Sequence, residues 1–120
     1  IIEKKNIFKI NEYIFEQFRL NKIQLVDIYV NFDHPENPTE NRKPGSGMFL
    51  KAEKNHSVSL SKCLIIGDSI CDIQAGKSLG MDTMLVLTGN GKKTKSNLID
   101  SDIPTYIVDD LKAGANKICR

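Results

Sequence analysis

No run of apolar residues in this sequence approaches the roughly 18 that a membrane span requires, which argues against a membrane partner. These residues show no signal-peptide pattern, and none is expected. Charge of one sign is missing too: the net charge is +2, too small to draw nucleic acid. Cysteine is scarce, and Cys63, Cys71 and Cys119 are odd in number and scattered. They make neither a disulfide framework nor a paired metal site, and a reducing cytoplasm suits them best. Repeats and low-complexity tracts are absent. What remains is ordinary: 40% hydrophobic and 27% charged residues over 120 positions, enough for one small domain with a core. The chain opens on Ile1 rather than Met, so the natural N-terminus is expected to lie outside it.

Apolar periodicity sets the elements. Ile7, Ile10, Ile14 and Phe18 recur at helical spacing over about residues 4–21. Leu25 to Val30 reads as a strand. Residues 33–44 hold three of the four prolines and read as a loop. The helical pattern returns from about Gly45 to Asn55. Cys63-Leu64-Ile65-Ile66, stopping at Gly67, has the character of a buried parallel strand, with Cys63 as a buried thiol. Ile70 to Leu79 reads as a helix closed by Gly80. Met84 to Leu87 and Tyr106 to Val108 read as further strands. Residues 88–102 are a polar connection, and Leu111, Ala115 and Ile118 suggest a closing helix. Strands alternating with helices predict a parallel α/β sheet in a single domain over 1–120.

Two stretches carry chemistry. In Ile66-Gly67-Asp68-Ser69-Ile70-Cys71-Asp72 a strand hands over to a helix, the place where open α/β sheets bind ligands. Gly67 lets the backbone turn and a ligand approach. A carboxylate at Asp68 suits Mg²⁺, which takes few carboxylates plus water and phosphate oxygens. Asp72, one turn on, is placed to orient Asp68 or a metal-bound water. Ser69 with Asp72 also reads as an acidic capping box, and the two readings are compatible. In Asn41-Arg42-Lys43-Pro44-Gly45, Lys43 is a point charge fit for a phosphoryl group and Arg42 can grip a second anion bidentately. A solvated basic turn before a helix is the other reading of this stretch. Cys71 and His34 read as packing residues, and Lys92, Lys93 and Lys95 as a solvated surface loop.

A basic residue before one helix, then a strand ending in Gly-Asp-x-x-x-Asp, resembles motifs III and IV of the haloacid dehalogenase superfamily. Residues Tyr29 to Glu36, Arg42-Lys43-Pro44, Gly47-Met48 and Leu87-Thr88-Gly89 resemble its D-glycero-D-manno-heptose 1,7-bisphosphate phosphatases, close to the histidinol-phosphatases. The resemblance implies a three-layer Rossmann-like parallel sheet and Mg²⁺-dependent hydrolysis of a phosphorylated sugar. It implies Lys43 on the phosphoryl group and the nucleophile, Arg42 on the substrate, Asp68 on Mg²⁺, and Gly67, Ser69 and Asp72 in support. Lys43 and Asp68 are expected to face one another across one crevice.

The match is partial. The family's Asp-x-Asp-Gly nucleophile motif does not occur in this sequence. The expectation is therefore a chain that starts about where the second half of such an enzyme starts, without the N-terminal strands. Alone it would bind Mg²⁺ weakly and be catalytically silent. It would expose a strand edge that invites self-association or a complementing N-terminal fragment. The relatives' zinc loop of Cys-x-His and Cys-x-Cys falls on Asn31, Asp33, Thr39 and Asn41, so no zinc is expected. An interaction or anion-binding module without catalysis is the alternative.

Overall fold

A computed structural model describes residues 3–119. They fall into two compact units, one up to Val30 and one from Asn31. The first unit is helix α1, Lys4–Leu20, followed by extended chain. None of its helical residues is buried. Asn21 ends the helix by turning its side-chain amide back to the Gln17 carbonyl at 2.7 Å. Residues 25–30, expected as a strand, are not part of the sheet among the described residues. The alternation of Val26, Ile28 and Val30 makes a strand only where a neighbouring strand supplies the ladder, and the three strands of the sheet all come from the second unit.

That second unit starts with the loop 31–46, then α2, Gly47–His56, and a short 3₁₀ turn at Leu60–Lys62. Strand β1, Leu64–Gly67, leads into α3, Ile70–Ser78. Gly80, at φ +71°, closes α3. Its amide bonds the Lys77 carbonyl while the Met81 amide bonds that of Gly76, a Schellman closure that needs the left-handed residue glycine supplies. Next come β2, Asp82–Val86, α4, Gly91–Ser96, a 3₁₀ turn at Asp100–Asp102, β3, Tyr106–Val108, and α5, Leu111–Ile118. Asp110 caps α5 by accepting the Ala113 amide at 2.7 Å.

All strands are parallel, in the order β1-β2-β3. Gly76 of α3 lies against Ile65 and Thr83, and Gly114 of α5 against Met84 and Val108. Thr83 and Met84 are consecutive in β2 and point to opposite faces. The helices therefore cover opposite sides of the sheet, giving the three layers expected. Ile73, Met84, Leu85 and Thr83 are fully buried at the centre. β1 is an outer strand of this sheet, and its Ile66 is 39% exposed. Cys63, expected to be buried, is half-buried; its thiol donates to the Ser59 carbonyl at 3.2 Å. The polar connection after β2 contains α4, so Lys92, Lys93 and Lys95, expected in a solvated surface loop, lie exposed on a short helix. One and a half turns of Lys, Thr and Ser carry no apolar period to read.

Candidate active site

The corner between β1 and α3 is built by its own sequence. Ser69 is the N-cap of α3, its hydroxyl accepting the Cys71 amide at 3.2 Å. Asp72 reaches back one turn to accept the Ser69 amide at 3.3 Å, completing the acidic capping box. Its carboxylate is only 7% exposed, a position that a charge tolerates only when paired. The partner is Lys43, whose ammonium donates to Asp72 Oδ1. The cap and the ion pair thus use the two oxygens of one side chain. Gly67 makes room for it: a Cβ there would overlap the Asp72 carboxylate.

Asp68 stands at the C-terminal edge of the sheet, half-buried. Its Oδ2 accepts the Asn90 amide at 2.9 Å, and its own carbonyl accepts the Thr94 hydroxyl at 2.8 Å. Gly89, at φ +56°, passes so close that a Cβ would overlap the Asp68 carboxylate. No pattern in the sequence pointed to Asn90 and Thr94 as its partners; only the Leu87-Thr88-Gly89 match marked the neighbourhood. Asp68 and Gly89 line a hollow of about 460 Å³ floored by Ile66, Val86 and Leu111.

Lys43 was expected to face Asp68. The ion pair it forms is with Asp72, the second carboxylate of the same motif. Each carboxylate accepts one backbone amide, and the more buried of the two, less screened by water, draws the cation more strongly. Arg42 and Lys43 line a second hollow of about 420 Å³ together with Pro35, Pro38 and Cys71. Arg42 Nη1 donates to the Asp33 carbonyl at 2.9 Å. His34 accepts the Glu36 amide on Nδ1 at 3.2 Å; expected to pack in the loop, it is exposed, and its contact is a local one.

The four positions considered for zinc bond one another instead. Asn31 Oδ1 accepts the Asp33 amide at 3.0 Å. Asp33 Oδ2 accepts the Thr39 amide at 2.8 Å and its hydroxyl at 2.5 Å. Thr39 Oγ1 accepts the Asn41 amide at 3.2 Å. These contacts, the Thr39 hydroxyl first, hold the Asp33 carboxyl below the ordinary aspartate range. For Mg²⁺, Asp68 offers one carboxylate at the rim of its hollow, whereas both Asp72 oxygens are engaged. Among the described residues no group of three His, Cys, Asp or Glu side chains is placed to hold a metal. The donors therefore fit one arm of a magnesium shell, the rest of which waters, phosphate and further ligands would complete.

Comparison with known proteins gives three kinds of likeness. A family model described as HAD-hydrolase-like matches residues 40–114. The D-glycero-D-manno-heptose-1,7-bisphosphate 7-phosphatase of Thermosynechococcus vestitus is 34% identical over 79 residues, 65% of this chain and 40% of that protein. The sugar-phosphatase AraL of Bacillus subtilis is 45% identical over 56 residues, 46% of this chain and 20% of that protein. The crystal structure of the D,D-heptose 1,7-bisphosphate phosphatase of B. bronchiseptica, complexed with magnesium and phosphate, superimposes with a TM-score of 0.83 at 26% identity. That match covers 96% of this chain and 64% of the other. The chain spans about half the length of the curated heptose phosphatases it matches, from 40% to 61%.

Proposed function

The chain belongs to the HAD-like hydrolase family, and from that premise we propose that it is the phosphate-facing C-terminal part of a Mg²⁺-dependent sugar-phosphate phosphatase. In this reading residues 1–120 are one part of a single domain, and the carboxylate nucleophile lies in a segment that this sequence does not contain. The observation that carries it is the Lys43–Asp72 ion pair one helical turn from Asp68, at the C-terminal edge of a parallel sheet. A solvated basic turn and an isolated helix cap would have no reason to meet across 29 positions. The outer position of β1 and the half-exposed Ile66 suit a neighbouring strand that bears the nucleophile.

Lys43, held by Asp72, supplies a fixed positive charge beside the phosphoryl group, and Arg42 supplies planar donors to a second anion or to the sugar. Asp68 would hold Mg²⁺, which offsets charge on the phosphoryl oxygens when bound. The phosphoryl group passes from the sugar oxygen, which takes up a proton and leaves as the hydroxyl, to the carboxylate nucleophile, and water then splits the acyl phosphate into carboxylate and inorganic phosphate. A heptose 1,7-bisphosphate is the substrate favoured by the most extensive of these matches. Histidinol phosphate is the rival within the class, and the likeness to AraL favours a sugar phosphate of some kind. Three free thiols suit a reducing cytoplasm.

The test is phosphate release from heptose bisphosphate, histidinol phosphate and p-nitrophenyl phosphate with Mg²⁺. The chain alone stays at background, since it has no Asp-x-Asp-Gly. Turnover well above background that disappears in Asp68→Ala would show that a nucleophile is present on this chain and overturn the reading.

A further inference from the structure

The loop 31–42 contains a hydrogen-bond relay that phosphoryl transfer does not require. Asp33 lies at its centre and acts through both ends of the residue. Its carboxylate takes two donors from Thr39, the amide at 2.8 Å and the hydroxyl at 2.5 Å, closing the proline-bearing excursion between them. Its carbonyl takes the Arg42 guanidinium at 2.9 Å. The Thr39 hydroxyl donates to Asp33 and accepts the Asn41 amide at 3.2 Å. A hydroxyl does both through one atom. Asn41 precedes Arg42 directly, so the relay fixes Arg42 from two sides: the backbone before it and the carbonyl its side chain grips.

We propose that Asp33 and Thr39 are positioning residues for Arg42, holding its guanidinium toward the anion of the substrate. This rests on the role given to Arg42 above. An arginine has five donors in a rigid fork. One is engaged by Asp33 O, which removes rotamer freedom before an anion arrives, and the rest remain to bind it. An unheld arginine loses that freedom on binding and binds more weakly. Arg42 is half-buried and lines the hollow with Lys43, so a fixed guanidinium and the fixed ammonium would meet the same ligand.

The experiment uses the full chain and two readouts. The first is binding of inorganic phosphate, followed by NMR titration, in wild type, Thr39→Val, Thr39→Ser, Arg42→Ala and the Thr39→Val/Arg42→Ala double variant. Thr39→Val should weaken binding about 3- to 10-fold, the scale of one or two net hydrogen bonds. Thr39→Ser should restore it. In the Arg42→Ala background Thr39→Val should add nothing, because its effect passes through Arg42. Equal loss with and without Arg42 would mean a merely structural loop and overturn the proposal, as would no loss at all. The second readout is proton exchange at the Arg42 guanidinium without ligand. It should speed up in Thr39→Val and stay slow in Thr39→Ser, and unchanged exchange in Thr39→Val overturns the proposal. If wild type binds no phosphate, the proposed function fails, yet this second readout still decides the positioning claim.

Discussion

The corner at Gly67–Asp72 and the loop at 31–42 both orient charged groups, but they are made in different ways. The corner is local. A strand ends, a serine caps a helix, and an aspartate one turn on bonds back to the cap. Each step follows from backbone period and the orphan amides of a helix start. The loop has no period. Its shape comes from a carboxylate and a hydroxyl six positions apart, with prolines between. The corner is half-buried around a buried Asp72, and the loop is mostly exposed. Disturbing the first should therefore damage the fold, and disturbing the second should damage mainly the aim of Arg42.

The largest effect should come from Gly67→Ala. The added methyl competes with the buried Asp72 carboxylate, and overpacking of this kind costs about 1–3 kcal/mol. Urea unfolding should show a lower midpoint, and a midpoint equal to wild type would break the claim that the corner leaves no room. Lys43→Met should come next. It leaves Asp72 Oδ1 buried without its cation, a loss of about 1–3 kcal/mol, reduced by the partial exposure of the lysine. Asp72→Asn in the Lys43→Met background should recover part of that loss, since no charge is then left unpaired. If the second change worsens stability further, the ion pair is not what makes Lys43 matter.

Helix α1, β1, α3 and β3 were legible within a residue or two because their apolar periods, stop signals and cap run along the chain. The partner of Lys43 was legible only as a region. Sequence placed it at the strand-to-helix corner, but the choice between Asp68 and Asp72 depends on burial, which spacing does not encode. The clasp of Asn90 and Thr94 on Asp68, and of Thr39 on Asp33, was not legible. Both join side chain to backbone across turns whose direction no pattern reports. The strand reading of residues 25–30 failed for a related reason: alternation describes a half-buried face, whereas a ladder needs a neighbour.

A smaller effect should appear on acidification. The Asp33 carboxyl is held below its ordinary range by the Thr39 hydroxyl and amide. Its contribution is complete above the unfolded value and is lost as pH falls through the folded one. Amide exchange at Thr39 and Asn41 should speed up in acid while exchange in β2 stays slow. If β2 loosens in parallel, loop and corner are one cooperative unit and the contrast between them fails. The smallest effect should be that of a chelator. Asn31, Asp33, Thr39 and Asn41 already bond one another, so EDTA should leave exchange in this loop unchanged and elemental analysis should find no zinc. A stoichiometric zinc whose removal loosens the loop would show that a metal, not a carboxylate, holds it.

The order of the sheet has a kinetic consequence. Its strands lie side by side in the sequence in which they are synthesised. Leu64 pairs with Asp82, and Met84 with Tyr106, so each pairing closes a loop of about 20 residues, and closure entropy varies only slowly with such lengths. Neither pairing has to wait for a distant segment. The sheet can grow one strand at a time as the chain emerges, each new strand docking on the one just made. The two faces are covered in turn, first by α3 and then by α5.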